Sequence, residues 1–173
     1  MTSTLLWNAG YIDADGKLQT HKNIEIKDGV ITAISDYTEG APLPEAEETI
    51  CCKDYIVTPG FVNMHAHAAM NIFKGIAEDA SADAWFNEYI WPYESKMTDE
   101  DVYLGTKLAI AEMASHGVTA FADHYFGEEQ VLKAVHETKI RADIAPTIFG
   151  TAGNLDARLT EVGDRKASCR ERV

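Results

Sequence analysis

The sequence predicts an α/β chain, and three observations carry that prediction. Residues 4 to 57 read as short strands separated by tight turns. From residue 58 onward strands alternate with helical stretches, the pattern of βαβ units on a parallel sheet. The first strand of that second part, within Ile56-Val-Thr-Pro-Gly-Phe-Val-Asn-Met-His-Ala-His67, closes on two histidines one residue apart. At 173 residues the chain is long enough for a sizeable core, since a chain of this size buries about 70% of its unfolded surface.

The elements follow in order. Leu5 to Tyr11 is a β-like run, Asp13-Ala-Asp-Gly16 a turn, and Asn23 to Ile26 alternates in polarity. Asp28-Gly29 is a hairpin signal ahead of Val30 to Ile34. Residues 40 to 48, rich in Pro, Ala and Glu, read as a surface loop before Thr49 to Cys52 and Tyr55 to Val57. Pro59-Gly60 opens the next strand, which Phe61, Val62 and Met64 make apolar on both faces, as a buried parallel strand requires. Ser81 to Tyr89 is a short helix that Pro92 breaks. Thr98 caps a helix over 99 to 115, with Asp99, Glu100 and Asp101 in its first turn and Gly117 as its stop. Its buried face carries Val102, Thr106, Ala109 and Met113, joined by Leu108. Val118 to His124 is the second parallel strand, and Glu128 to Lys139 a helix burying Val131, Leu132 and Val135. Ala142 to Phe149 is the third strand, with Pro146 marking a bulge or break.

Composition narrows the partners. A formal net charge of −13 disfavours nucleic acid and anionic membrane, both of which would repel the chain. No apolar run approaches the roughly 18 residues of a membrane span, and the start shows neither a basic region nor an apolar core of a signal peptide. The expected compartment is the cytoplasm. Cys51 and Cys52 are adjacent and Cys169 stands apart, so no disulfide framework is indicated; the vicinal pair reads as core packing.

The histidine pair carries the chemistry. Side chains two apart on a strand share a face, so His65 and His67 can both reach one ion. Alone, the pair also reads as two polar residues closing a strand. Its place at the C-terminal end of an apolar strand, the end at which (β/α) barrels carry their active sites, favours metal binding. Open catalytic zinc sites take about three protein ligands, so two imidazoles are part of a site. Such a metal would lower the pKa of its bound water from about 15.7 to about 7. His124, near the end of the second strand, stays open between a ligand or base and a non-ligating residue. Asp123 reads as an orienting group under the metal or as a strand-end cap. His116 suits a helix C-terminus, and His21 and His136 suit the surface.

The stretch Thr58-Pro-Gly-Phe-Val-Asn-Met-His-Ala-His67 resembles the first barrel strand of the amidohydrolase superfamily, whose members hydrolyse C–N and related bonds with a barrel-bound metal. Ala77 to Trp85, Trp91-Pro-Tyr-Glu94 and Ala114 to Phe126 with Glu128-Glu129 resemble the branch that deaminates S-adenosylhomocysteine, methylthioadenosine and adenosine. The resemblance covers about residues 20 to 160. It implies the N-terminal half of a small β-sandwich over 1–57, then the first βα units of a metal-dependent (β/α)8 TIM barrel over 58–160, truncated. It implies one divalent metal on His65 and His67, zinc first and Fe2+ as the alternative. It implies a small nucleoside substrate, with Trp85 packing on the nucleoside, Glu94 accepting from the ribose hydroxyls and Arg158 anchoring a homocysteine carboxylate. A homo-oligomer stays open. The plainer readings are core packing for Trp85 and solvated charges for Glu94 and Arg158. A second arginine expected on the third strand is replaced by Ala145-Pro146, which puts methylthioadenosine and adenosine on an equal footing with the carboxylate-bearing substrate.

The catalytic groups of the family, a further histidine ligand, a glutamate, another histidine and an aspartate, are expected downstream, and none is assigned in this chain. Residues 161–173 lack apolar periodicity and read as a non-matching, disordered tail, either a fragment end or a basic segment. The chain is therefore expected to be incomplete and inactive alone. The alternatives are another amidohydrolase, acting on guanine, cytosine or triazine rings, and a non-catalytic fragment.

Overall fold

A computed structural model describes residues 2–147, which form two compact units, with the division at Pro59 and Gly60. In the first unit, β1 (Ser3–Ile12), β2 (Leu18–Lys27), β3 (Val30–Asp36), β4 (Glu48–Cys51) and β5 (Ile56–Val57) form one sheet of order β3-β2-β1-β4, with β5 also pairing β1. The first three strands are antiparallel, while β4 and β5 run parallel to β1. The β2–β3 turn has positive φ at both Asp28 (50°) and Gly29 (78°), the backbone of a two-residue hairpin whose twist matches its strands. Cys52 is buried with Ala9 and Ile24, whereas Cys51 is exposed. Neighbouring residues at a strand end face opposite ways, so the core-packing expectation holds for only one of the pair.

In the second unit, β6 (Phe61–Ala66), β7 (Val118–Tyr125) and β8 (Arg141–Pro146) form a parallel sheet of order β6-β7-β8. Between β6 and β7 lie a 3₁₀ turn (Ala68–Phe73), α1 (Ala82–Ala84), a π-helical stretch (Trp85–Ile90), α2 (Trp91–Glu94) and α3 (Asp99–Ser115). The last connection is α4 (Glu128–Thr138). The part of the third strand expected beyond Thr147 lies outside the described residues. No helix among them is long and apolar enough to cross a membrane.

α3 begins with a capping box. Asp101 N–H donates to Thr98 Oγ1, and Thr98 N–H donates to Asp101 Oδ2 at 2.8 Å. Val102, Thr106, Ala109 and Ile110 are buried, with Gly105 among them. Leu108, expected on that face, is 52% exposed. It lies about 200° around the helix from Thr106, on the opposite side. Gly105 is required by close approach, because a Cβ there would sit 2.3 Å from the Ala69 carbonyl oxygen of the 3₁₀ turn. The helices close over the sheet through Ala109, Ile110, Phe121, Ala134 and Val135, and through Ala69, Val102, Tyr125 and Val131.

Two further expectations change. Pro92 does not break the helix, because the chain stays helical from Ala82 through Glu94. Pro92 falls in the first turn of α2, immediately after the π-helical stretch, whose Trp91 N–H reaches back to the Phe86 carbonyl. The proline leaves one carbonyl of the preceding turn without its N–H partner, and the wider turn, in which the Trp91 N–H reaches back five residues, relieves the clash of the ring with the preceding carbonyl. Second, β6 is not buried on both faces: Phe61 is 66%, Val62 56% and Met64 76% exposed. β6 is an edge strand of this sheet, and the helices cover β7 instead.

Candidate metal centre and adjoining cavity

His65 stands on β6, and His67 follows the strand as the residue that starts the 3₁₀ turn. His124 is the penultimate residue of β7, which the register Ala66↔Asp123 brings alongside. The three rings meet edge to face. Their centroids are 5.0 Å apart for His65–His67, 5.6 Å for His65–His124 and 4.5 Å for His67–His124, with interplanar angles of 84°, 90° and 87°. One ring nitrogen from each can be chosen so that all three lie within 4.8 Å of one another. His65 and His124 are exposed and His67 is half-buried.

The supports are specific. His67 Nδ1 lies 2.9 Å from the His124 carbonyl oxygen. A carbonyl only accepts, so Nδ1 carries the hydrogen and Nε2 keeps its lone pair for a ligand. Asp123, 4% exposed, accepts from the Ala68 N–H with both carboxylate oxygens at 3.3 Å, fixing the backbone just after His67. Burial pushes its carboxyl up to about 6, against the opposing pull of the Ala68 N–H and of nearby His67. Three imidazoles, one with its tautomer set by a backbone acceptor, fit a zinc-type divalent metal.

His67 and His124 also line a cavity of about 290 Å³, whose walls include Trp85, Phe86, Trp91, Glu94, Tyr125 and Phe126. The π-helical stretch and α2 place Trp85 and Glu94 on this wall. Tyr125 Oη donates to Glu94 Oε1 at 2.5 Å. Burial and this hydrogen bond raise the Tyr125 hydroxyl above its ordinary value, so it remains protonated and donates. Four sequence-derived site residues, His65, His67, Trp85 and Glu94, thus fall at one locality, and Arg158 lies outside the described residues. Sequence reasoning left His124 open and passed over Tyr125. The only signal for the latter was a tyrosine beside His124 at a strand end, since 31 residues separate it from Glu94.

The chain is similar to the 5-methylthioadenosine/S-adenosylhomocysteine deaminase of Dictyoglomus turgidum, with 41% identity over 140 residues, 81% of this chain and 32% of the relative. It is similar to the 5'-deoxyadenosine deaminase of Methanosarcina barkeri at 40% identity, covering 83% of this chain and 33% of that protein. Among solved structures, an adenosine deaminase of Xanthomonas campestris with bound zinc superposes with a TM-score of 0.76 at 26% identity, covering 95% of this chain and 40% of that one. The chain spans about a third of the length of these curated relatives. The Amidohydrolase family matches residues 56–173, a span that includes the histidine pair, the cavity wall and the tail set apart above, and the chain belongs to that family.

Proposed function

We propose that the protein hydrolytically deaminates an adenine nucleoside of the methylthioadenosine, S-adenosylhomocysteine or adenosine type, releasing ammonia. The observation that carries this reading is the single cavity in which an aromatic wall and a carboxylate, Trp85 and Glu94, adjoin the imidazoles of His67 and His124. The names of the two curated relatives support the same substrate class. A divalent metal, zinc by the donor set, supplies an activated water when bound.

The chain's own residues bind and orient. His65 and His67 present ring nitrogens to the metal, with His67 held in the required tautomer by the His124 carbonyl. Trp85 offers a flat apolar surface to the purine. Glu94 accepts from the vicinal ribose hydroxyls, and an ionised acceptor makes the stronger bond to a diol. Tyr125 fixes one Glu94 oxygen and leaves the other for substrate. Arg158 is assigned the carboxylate of a homocysteine-bearing substrate. We assign no proton carrier among the described residues. In this reading residues 1–57 form part of a small composite β-sandwich, and residues 58–160 hold the opening βα units of a (β/α)8 barrel.

Ammonia release from methylthioadenosine, adenosine and S-adenosylhomocysteine, set against guanine, cytosine and a chlorotriazine, tests the class. In the active protein, Glu94→Ala is expected to raise KM for the nucleosides about 10- to 100-fold, the loss of one or two charge-assisted hydrogen bonds. An unchanged KM would contradict the ribose role.

A further inference from the structure

We propose that Tyr125 sets the selectivity of the cavity for an intact ribose: its hydroxyl aims the Glu94 carboxylate, without itself meeting the substrate. The inference rests on the reading that Glu94 accepts from the ribose hydroxyls, and goes beyond it by naming the residue that places that acceptor. Three observations carry it. Glu94 ends α2, a helix of four residues, too short to hold its own course without tertiary contacts. Tyr125, by contrast, is a fixed point: it is 5% exposed on the central strand β7, packed among Ala69, Val102 and Val131, and stacked on Phe126 with ring centroids 4.1 Å apart. Its Oη donates to Glu94 Oε1 at 2.5 Å, and Glu94 lines the cavity with its second oxygen left to accept.

A glutamate side chain left to itself samples many rotamers, and ordering it on binding costs entropy. One held in place beforehand meets a diol without that loss. The anchor also sets a distance. Tyr125 follows His124 on β7, and its ring centroid lies 6.2 Å from that of His67, so one phenol fixes the spacing between the carboxylate and the imidazoles that share the cavity. A buried phenol needs a hydrogen-bond partner in any case, and Glu94 could serve as that alone. The two accounts differ in what they predict. A mere partner for the phenol matters equally to every substrate, whereas an aimed carboxylate matters only to those that carry ribose hydroxyls.

The test measures, in the active protein, KM for whichever of methylthioadenosine, adenosine and S-adenosylhomocysteine is turned over best, and the inhibition constant of its 2',3'-dideoxy counterpart as a competitor. The ratio of the second constant to the first reports selectivity for the ribose hydroxyls. It is compared among the unaltered protein, Tyr125→Phe, Glu94→Ala and the double variant, each checked for folding by circular dichroism. Tyr125→Phe keeps the packed ring and removes only the hydroxyl. It is expected to lower the ratio about tenfold, the scale of one hydrogen bond to a charged group. Adding it to Glu94→Ala is expected to lower the ratio no further. A ratio lowered by Glu94→Ala but not by Tyr125→Phe, including the case where Tyr125→Phe raises both constants together, overturns this inference and leaves the ribose role of Glu94 standing. A double variant below Glu94→Ala alone also overturns it, because the phenol would then meet the substrate itself. A ratio unchanged by Glu94→Ala overturns both the ribose role and this inference, and no ammonia from any of the three nucleosides overturns the deaminase reading with them.

Discussion

β6 and β7 are adjacent parallel strands that each carry a histidine as the penultimate residue, yet they are held in different ways. β7 is the middle strand, with Phe121 at 2%, Asp123 at 4% and Tyr125 at 5% exposure beneath the two helices. Among the described residues β6 is an edge strand, and its apolar side chains Phe61, Val62 and Met64 are exposed. Burial therefore does not position His65 and His67. The positioning comes from β7 and the 3₁₀ turn: the His124 carbonyl takes the Nδ1 hydrogen of His67, Asp123 takes the Ala68 N–H, and Gly105 lets α3 press against Ala69. The candidate centre is thus built against the central strand, to which the 3₁₀ turn after His67 is tethered, a division in which supporting groups set the orientation of the residues proposed as ligands.

Substitutions along the two strands sharpen this contrast. Phe121→Ala is expected to cost about 3–5 kcal/mol, the range for deleting a large buried aromatic side chain, read from denaturant unfolding. Asp123→Ala leaves the buried Ala68 N–H without its acceptor and is expected to cost about 1–3 kcal/mol. Because it loosens the backbone at His67, it is also expected to weaken Zn2+ binding measured by competition with a chelating dye, whereas Phe61→Ala is expected to leave that binding unchanged. Gly105→Ala is expected to lower stability by about 1–3 kcal/mol, since the added methyl meets the Ala69 backbone rather than a movable side chain. Thr98→Ala removes one arm of the capping box on α3, for about 1 kcal/mol. Phe61→Ala, on the exposed strand, is expected to stay within about 0.5 kcal/mol. A large loss from Phe61→Ala, comparable to that of Phe121→Ala, would erase the distinction between the strands.

Local rules made much of this architecture legible in the sequence. The Asp28-Gly29 hairpin needs positive φ at two residues that tolerate it, and the Thr98 capping box is written in four consecutive positions. The histidine pair is equally local, since two residues one apart on a strand share a face whatever the rest of the chain does. Long-range facts were less visible. The exposure of Phe61, Val62 and Met64 depends on which strand is central, and nothing within the strand reports that. The Tyr125–Glu94 hydrogen bond joins β7 to α2 across 31 residues without a spacing rule. Pro92 misled because proline is read as a breaker, while a π-helical turn just before it accommodates the ring. His124 stayed open for a related reason: its approach to His67 follows from the strand register, which the sequence of either strand alone does not specify.

In the proposed reading the imidazoles of His65 and His67 hold one metal ion. X-ray absorption at the zinc edge, on the chain loaded with one equivalent of Zn2+, tests it most directly. The account predicts a first shell of nitrogen or oxygen scatterers at about 2.0–2.1 Å with the multiple-scattering pattern of imidazole. A shell of sulfur at about 2.3 Å, which would place the ion on cysteine, or a fully hydrated ion without imidazole, would contradict it.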